Sequence, residues 1–294
     1  MDAPQLEGGV LYLAATPIGN LRDITLRALE ALRQADVVAA EDTRHTRELL
    51  SAHGIHARLV SYREQNHERA SIEILDALER GLKVVLVSDA GTPGISDPGE
   101  ALVSLAIERG FRVSALPGPS AAIAALCASG LLSRRFLFVG FLPRKEAELT
   151  SHLGSLAAEP GTLIFYEAGR RLPATLAAAA KILGPRRAVV ARELTKLHEE
   201  LVRDTLPGLA RRFVEPPPGE VVLLVEGASG GPSVPPSRPE IEKLVSALRA
   251  GRRLGAAECA ALLSRLLPVP RREIYRLAVE IGGADTGDPE KAHE

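Results

Sequence analysis

The 294-residue chain has no tryptophan, one methionine and two cysteines, and aromatic residues make up only 3% of it. With so few rings, base stacking is at most a minor mode of nucleic-acid recognition. Cys127 and Cys259 lie far apart and form no CxxC pair, which argues against a disulfide framework and a cysteine zinc site and fits a reducing compartment. An excess of one charge is also missing. Lys and Arg number 36 against 37 Asp and Glu, a net of −1, so any affinity for a polyanion must come from local basic patches. The opening MDAPQLEGG lacks the basic and apolar regions of a signal peptide. The most apolar stretch, 120–132, falls short of the roughly 20 residues of a bilayer-spanning helix and reads as a buried helix. A cytoplasmic protein with no membrane association is expected. GxGxxG, P-loop, GxSxG and HExxH motifs are absent, which argues against dinucleotide, NTPase, serine-hydrolase and zincin chemistry.

What is present is an alternation. With 46% hydrophobic residues, the chain can build two compact domains and a small third module. β-Branched runs at 10–15, 37–40, 83–88 and 112–115 alternate with helix-like segments at 25–35, 43–52, 70–80 and 100–109, whose apolar residues recur every three or four positions. The continuous run Val84-Val85-Leu86-Val87 suits a parallel sheet covered on both faces. Asp97-Pro98-Gly99-Glu100 predicts a helix start with Asp97 as N-cap and Pro98 at the first helical position. After a pause near 130–135, strands are expected at 136–139, 162–166, 188–191, 201–203 and 221–225, with helices at 146–157 and 172–183. This half reads as a second α/β domain of mixed strand direction. GASGGPSVPPSRP, from Gly227 on, has a linker's composition. Three helix-length segments follow at 240–249, 256–267 and 271–281, broken at Gly251 and at Pro268 and Pro270. The domain reading is therefore 1–130, 131–227, a linker at 228–238, a basic three-helix module at 239–281 and a disordered tail at 282–294.

Open parallel sheets bind ligands outside the carboxyl ends of their strands, so the loops there are the first candidates. Thr16–Asn20 (TPIGN) follows the first strand and reads equally as a simple turn. Glu41-Asp42-Thr43-Arg44-His45-Thr46 follows the second; its acids suit a ribose hydroxyl, or else Asp42 or Thr43 merely caps the next helix. SDAGTPGISDPG, 88–99, carries three glycines and two prolines, which lets backbone approach a ligand closely. LPGPSAA, 116–122, enters an alanine-rich helix, whose small residues suit either a ligand lying flat or close helix packing. His45, His53 and His56 have no carboxylate cluster converging on them in sequence, so no metal is expected.

Together these stretches resemble the tetrapyrrole-methylase superfamily of S-adenosylmethionine enzymes. The resemblance runs through LYLAATPIGNLRDIT (11–25), AAEDTRHT (39–46), LVSDAGTPGISDPG (86–99), LPGPSAAI (116–123), RFLFVGFLPRK (135–145), TLIFYEAGRRL (162–172), ARELTK (191–196) and GEVVLLVEG (219–227). It implies an α/β body of two domains, a class III S-adenosylmethionine methyltransferase, with the cofactor in the cleft and a helical module added at the C-terminus. By position it implies cofactor contacts at Pro17, Val87, Ser88, Asp89, Thr92, Ser120, Ala121, Glu167 and Leu194. Porphyrin-modifying members usually carry a GxGPGD-type first loop and GDP in the glycine loop. TPIGN and SDAG stand there instead, a departure that moves the expected substrate away from tetrapyrroles; the resemblance of the eight stretches as a whole implies a member that methylates the 2′-hydroxyl of a cytidine in 16S rRNA. The same resemblance implies a homodimer acting on the assembled small ribosomal subunit.

For such a transfer Asp42 is the candidate base, with Arg44 and Lys196 placing backbone phosphates or stabilising a developing alkoxide. Glu193 and Lys196 as an ordinary surface ion pair is the competing account. Arg249, Arg252, Arg253, Arg265, Arg271, Arg272 and Arg276 make the C-terminal module basic, as phosphate binding or a solvated helix face would. The rival functions are a nucleotide-dependent oxidoreductase, a ligand-sensing helix-turn-helix regulator and a methylase of a porphyrinoid.

Overall fold

The computed structural model describes residues 5–228, 237–252, 254–267 and 269–283. Most of the expected linker, Arg253, Pro268, the tail beyond 283 and the side chains of Arg252 and Arg265 lie outside the described residues. The chain divides into two compact units, Met1–Ala228 and Ser229–Glu294.

The first unit begins with five strands and four helices in alternation: β1 (Val10–Ala14), α1 (Leu26–Gln34), β2 (Val37–Ala40), α2 (Thr43–Ala52), β3 (Leu59–Ser61), α3 (His67–Glu79), β4 (Val84–Val87), α4 (Gly99–Glu108) and β5 (Arg112–Leu116). The strands form one parallel sheet in the order β3-β2-β4-β1-β5. Strand alternation divides β1 between two cores. Val10, Tyr12 and Ala14 pack with α1 and α2, whereas Leu11 and Leu13 pack with α3 and α4, as the period of two requires. In register, Ala14 lies beside Val87 and Leu116, and Ala40 beside Val87. Four loops therefore leave the sheet at one level. The order reverses between β4 and β1, a switch point of the kind that opens a crevice at the strand ends.

Helix α5 (Ala121–Ser129) leads into β6 (Phe136–Phe141), α6 (Glu146–Ser155), β7 (Thr162–Ala168), α7 (Leu172–Leu183), β8 (Arg187–Arg192), β9 (Glu200–Thr205), α8 (Leu206–Arg212) and β10 (Glu220–Val225). The second sheet runs β6-β7-β10-β8-β9 and is mixed, with only β6 and β7 parallel. Helices α6, α7 and α8 cover one face; α5 covers the other through Ala122, Ala125 and Leu126 against Ile164, Val189, Val222 and Leu224. A boundary at 130 thus falls just after a helix that packs on the second sheet, and the two sheets share one compact unit.

Three details differ from the sequence reading. The three-residue β3 is an added edge strand, too short to show a period. Helix α4 starts at Gly99, with Pro98 as its N-cap; the Asp97 carboxylate still accepts the Gly99 N–H, but also bonds back to Gly94 N–H. In the second unit α9 (Arg238–Arg252) continues through Gly251, because the packed stripe Ile241–Val245–Leu248 outweighs the roughly 1 kcal/mol a helical glycine costs. Helices α10 (Ala256–Leu266) and α11 (Arg271–Gly283) complete a small core around Cys259, Leu263, Ile274 and Leu277. Arg249 donates to the Ala278 carbonyl and Arg238 pairs with Glu242 and Glu280, while Arg271, Arg272 and Arg276 are exposed. Among the described residues no helix is long and apolar enough to cross a membrane.

Candidate active site

The loops at the switch point are fastened to one another. Thr16 and Gly91 exchange backbone hydrogen bonds of 2.9 and 3.0 Å. The Thr16 hydroxyl donates to the Ser88 carbonyl, and the Ser88 hydroxyl donates to the Gly91 carbonyl. Gly91 has φ +84°, a left-handed conformation that favours glycine. Thr92 donates to the Pro119 carbonyl at 3.2 Å, tying the glycine loop to the start of α5. The loop's own shape is held by Asp97, whose carboxylate accepts from Gly94 and Gly99 N–H.

Beside this loop lies a charged platform. Asp42 caps α2 by accepting the Arg44 N–H at 2.8 Å, and its two oxygens take the Arg44 side chain at 3.1 and 2.6 Å. Arg63 lies 3.6 Å from the same carboxylate and donates through Nε to the Glu41 carbonyl at 2.9 Å. The hydrogen-bonded Arg44 guanidinium holds the Asp42 carboxyl well below the usual carboxylate range. Its neighbour Glu41 is raised instead, by partial burial and then by the nearby charges of Asp89 and Asp97. The Asp89 carboxylate accepts the Asp42 N–H at 2.7 Å and lies 3.8 Å from His45.

The second sheet supplies the facing wall. In β7 the side chains alternate, so Tyr166 points toward α5 and Glu167 away from it. The Tyr166 hydroxyl accepts the Ala122 N–H at 3.3 Å, and burial pushes its pKa up. Phe138 and Phe141 meet its ring edge-on, with centroids 5.0 and 5.6 Å away. After β8 the chain makes a tight turn in which Glu193 and Thr195 adopt φ +51° and +65°, an arrangement costing roughly 1–2 kcal/mol per non-glycine residue. Lys196 N–H bonds to the Glu193 carbonyl, Lys196 Nζ lies 3.0 Å from Glu193 Oε1, and Glu199 accepts the Thr195 N–H. Gly19 abuts this turn. A Cβ there would sit 2.7 Å from the Leu194 carbonyl and 2.9 Å from the Thr195 hydroxyl, so the first loop reaches the second half only through a glycine.

Between the two walls is a cavity of about 250 Å³. Ile18, Gly91, Thr92, Ile95, Ser120 and Ala121 line one side; Tyr166, Ala191, Glu193, Leu194, Lys196, Glu220 and Val222 line the other. The lining suits a folded, amphipathic and cationic ligand: a small-residue shelf at Ala121, an aromatic ring, and two carboxylates against one ammonium. A second depression of about 280 Å³ adjoins it across Ile18 and Ser120. There Asp23 Oδ2 and Thr195 Oγ1 are buried without a hydrogen-bond partner among the described residues.

Of the positions named from the sequence, Thr92, Ser120, Ala121, Leu194 and Lys196 come together on this cavity. Pro17 precedes the lining residue Ile18, buried Ser88 donates to the carbonyl of the lining residue Gly91, and Val87 is buried in the core with Leu116. Asp89, Asp42 and Arg44 belong to the neighbouring platform. Glu167 is displaced from the expected set. It is 0% exposed and its carboxylate is engaged by Ala168 N–H, the Thr175 hydroxyl and Arg171, because the residue after Tyr166 on a strand must face the other way. The sequence reading passed over Tyr166, Glu220 and Arg63. Tyr166 adjoins the named Glu167 and was reachable by parity, while nothing local marks Arg63. Among the described residues no group of His, Cys, Asp or Glu is placed to hold a metal ion.

A family model described as Tetrapyrrole (Corrin/Porphyrin) Methylases matches residues 10–210. The chain is 46% identical over 274 residues to a protein of Mesorhizobium japonicum named ribosomal RNA small subunit methyltransferase I, with 92% of each chain covered. It is 45% identical to a protein of the same name from Synechocystis sp., covering 93% of this chain and 98% of the other. Among solved structures, uroporphyrin III C-methyltransferase from Thermus thermophilus superposes with a TM-score of 0.54 at 22% identity, covering 73% of this chain and 96% of that one. That likeness speaks for the fold. The chain belongs to the tetrapyrrole methylase family and, within it, to the group of proteins named ribosomal RNA small subunit methyltransferase I.

Proposed function

We propose that the chain transfers a methyl group from S-adenosylmethionine to the 2′-hydroxyl of a cytidine ribose in 16S rRNA, acting in the cytoplasm as a homodimer on the small ribosomal subunit. The observation that carries this reading is the convergence of loops from both sheets on one cavity, in a chain whose relatives are named for methylation of small-subunit rRNA. The cavity fits the cofactor's chemistry. Small residues at Ser120 and Ala121 leave room for a flat ring, Tyr166 offers an aromatic face, and Glu193 and Glu220 favour a cation. When bound, S-adenosylmethionine supplies an electrophilic methyl group on a sulfonium.

In-line displacement asks the protein mainly to align the reactants and to exclude water. Ile18, Ile95, Leu194 and Val222 provide the apolar lining for that exclusion. A ribose hydroxyl is a weak nucleophile, so a proton acceptor and a nearby cation help. Lys196, on the cavity wall and anchored to Glu193, is positioned to offset a developing negative charge. Asp42, the base expected from sequence, is a weak acceptor while two guanidiniums hold it as a carboxylate. Glu41, with its raised pKa, is the stronger base of the adjacent pair. The exposed Arg271, Arg272 and Arg276 of α11 offer a separate set of phosphate contacts.

The test is to incubate the purified chain with unmodified small subunits and S-adenosylmethionine carrying a tritiated methyl group, then to map the label. Label on a single ribose of 16S rRNA is expected. Label on a base, or a porphyrinoid accepting methyl while RNA does not, would overturn the proposal.

A further inference from the structure

Asp42, Arg44 and Arg63 form a unit that the cofactor cavity does not use. We infer that it is a phosphate clamp: Arg44 and Arg63 receive a backbone phosphate of the substrate strand next to the methylated nucleotide, and Asp42 is the residue that positions them. The inference rests on the nucleic-acid reading proposed above and names the part of the surface that holds the strand.

The two arginines come from different segments, one from the first turn of α2 and one from the loop after β3, and a single carboxylate gathers them. Each is fixed a second time. The Arg44 backbone N–H is the one that Asp42 caps. Arg63 donates to the Glu41 carbonyl, and its own N–H is accepted by the side chain of Asn66, which in turn bonds to the Ser61 carbonyl. Buried Tyr62, with its hydroxyl 3.3 Å from Ser71, anchors the same loop from beneath. The outer faces remain open: the Arg44 side chain is 77% exposed and that of Arg63 44%. No described residue accepts a hydrogen bond from Nη1 of either, so each fork keeps donors directed to solvent. His45 stands beside them, 3.8 Å from Asp89.

An ordinary surface ion pair needs one cation per carboxylate. Here one carboxylate serves two guanidiniums, each already held by it, which lowers the entropy cost of binding the tetrahedral, singly charged phosphodiester between them. The location fits. Asp42 is joined to the glycine loop by the 2.7 Å bond from its N–H to Asp89, and the next residues of that loop, Ala90, Gly91 and Thr92, line the cavity. A phosphate held by the arginines thus lies beside the loop whose next residues line the cavity.

The experiment measures methyl transfer to unmodified small subunits, and filter binding to the same particles without cofactor, for wild type, Arg63→Ala, Arg63→Lys, Arg44→Ala and Asp42→Asn. Asparagine retains the N-cap, and equal thermal transitions check that the variants fold. Arg63→Ala and Arg44→Ala are expected to raise KM and Kd about tenfold, with kcat within about twofold, and to lessen the slope of log Kd against log salt, by at most roughly 0.7–0.9, the loss of the one phosphate contact they share. Arg63→Lys should restore the salt slope but only part of the affinity, since a point charge replaces a fork. Asp42→Asn should act on KM, as a positioning residue does. A fall in kcat with an altered pH profile and unchanged KM would make it a base and overturn the clamp. Unchanged Kd and salt slope in both arginine variants would also overturn it. If wild type binds without methylating, the methyl-transfer reading fails, and the binding series still decides the clamp.

Discussion

Replacing Glu167 separates a residue that holds the fold from one that holds the cofactor. Its carboxylate is wholly buried between β7 and α7, where Oε2 accepts the Thr175 hydroxyl at 2.7 Å, Oε1 accepts the Ala168 N–H at 2.9 Å, and Arg171 lies at 3.4 Å. Thr175 is itself only 1% exposed, so Glu167→Ala leaves a buried hydroxyl, a backbone N–H and part of a guanidinium without a partner. Removing one member of a buried ion pair costs about 3–5 kcal/mol. Arg171 retains its bonds to the carbonyls of Leu142 and Pro143, which places the expected loss near the lower end. For a unit of this size each kcal/mol shifts the transition by about 2–4 °C, so a fall of roughly 6–12 °C is expected. Thermal unfolding of the full chain by circular dichroism measures it, and calorimetric titration with S-adenosylmethionine below the transition measures the cavity. Glu167→Gln, which preserves shape and most hydrogen bonds, should lose about half as much stability. A Glu167→Ala protein that melts like wild type but binds the donor tenfold more weakly would refute this reasoning and return Glu167 to the cofactor.

Three further perturbations probe the walls of the site. Gly19→Ala drives a methyl group against the Leu194 carbonyl at 2.7 Å; a cost of about 1–3 kcal/mol from overpacking and weaker donor binding are expected in melting and titration. Tyr166→Phe keeps the ring against Phe138 and Phe141 but frees the Ala122 N–H, so stability should fall by about 0.5–1.5 kcal/mol with donor affinity nearly unchanged, whereas Tyr166→Ala should reduce both. Glu41 has a raised folded-state pKa, so its ionisation opposes folding as pH rises through the window between the ordinary carboxylate value and the raised one. Glu41→Gln should therefore be more stable than wild type at neutral pH and lose that advantage as pH falls below the window, a trend followed by urea midpoints across pH.

Much of this was legible before any coordinates, for reasons that differ between elements. Val84-Val85-Leu86-Val87 announces a strand buried on both faces because no polar residue interrupts it, and it became the middle of the sheet. The loops that carry Thr92, Ser120 and Ala121 to the cavity wall were marked locally, by glycine and proline where the backbone must turn and by an alanine run at a helix start, while the residues themselves were named by position from the family resemblance. The short β3 carried no period, and Gly251 read as a break because propensity is local, while the stripe Ile241–Val245–Leu248 that outweighs it gains its weight by packing on residues of α10 and α11.

The misplacement of Glu167 shows where such reading stops. A motif carried over by position fixes a residue along the chain, but on a strand a shift of one residue changes the face. In TLIFYEA the side chains of Tyr166 and Glu167 face opposite ways and only Tyr166 lines the cavity, a choice made by which neighbour the second sheet must bury. Ile164 and Val222 pack under α5 on the same face as Tyr166, while Leu163, Phe165 and Leu223 pack beneath α7, so parity alone assigns Glu167 to the far side. Arg63 fails differently. It reaches Asp42 only because β3 lies beside β2 in the sheet, a neighbour relation that depends on topology and leaves no trace in spacing. Loop residues at a strand end can therefore be named from sequence, strand residues only with their parity checked, and partners drawn from adjacent strands only after the strand order is known.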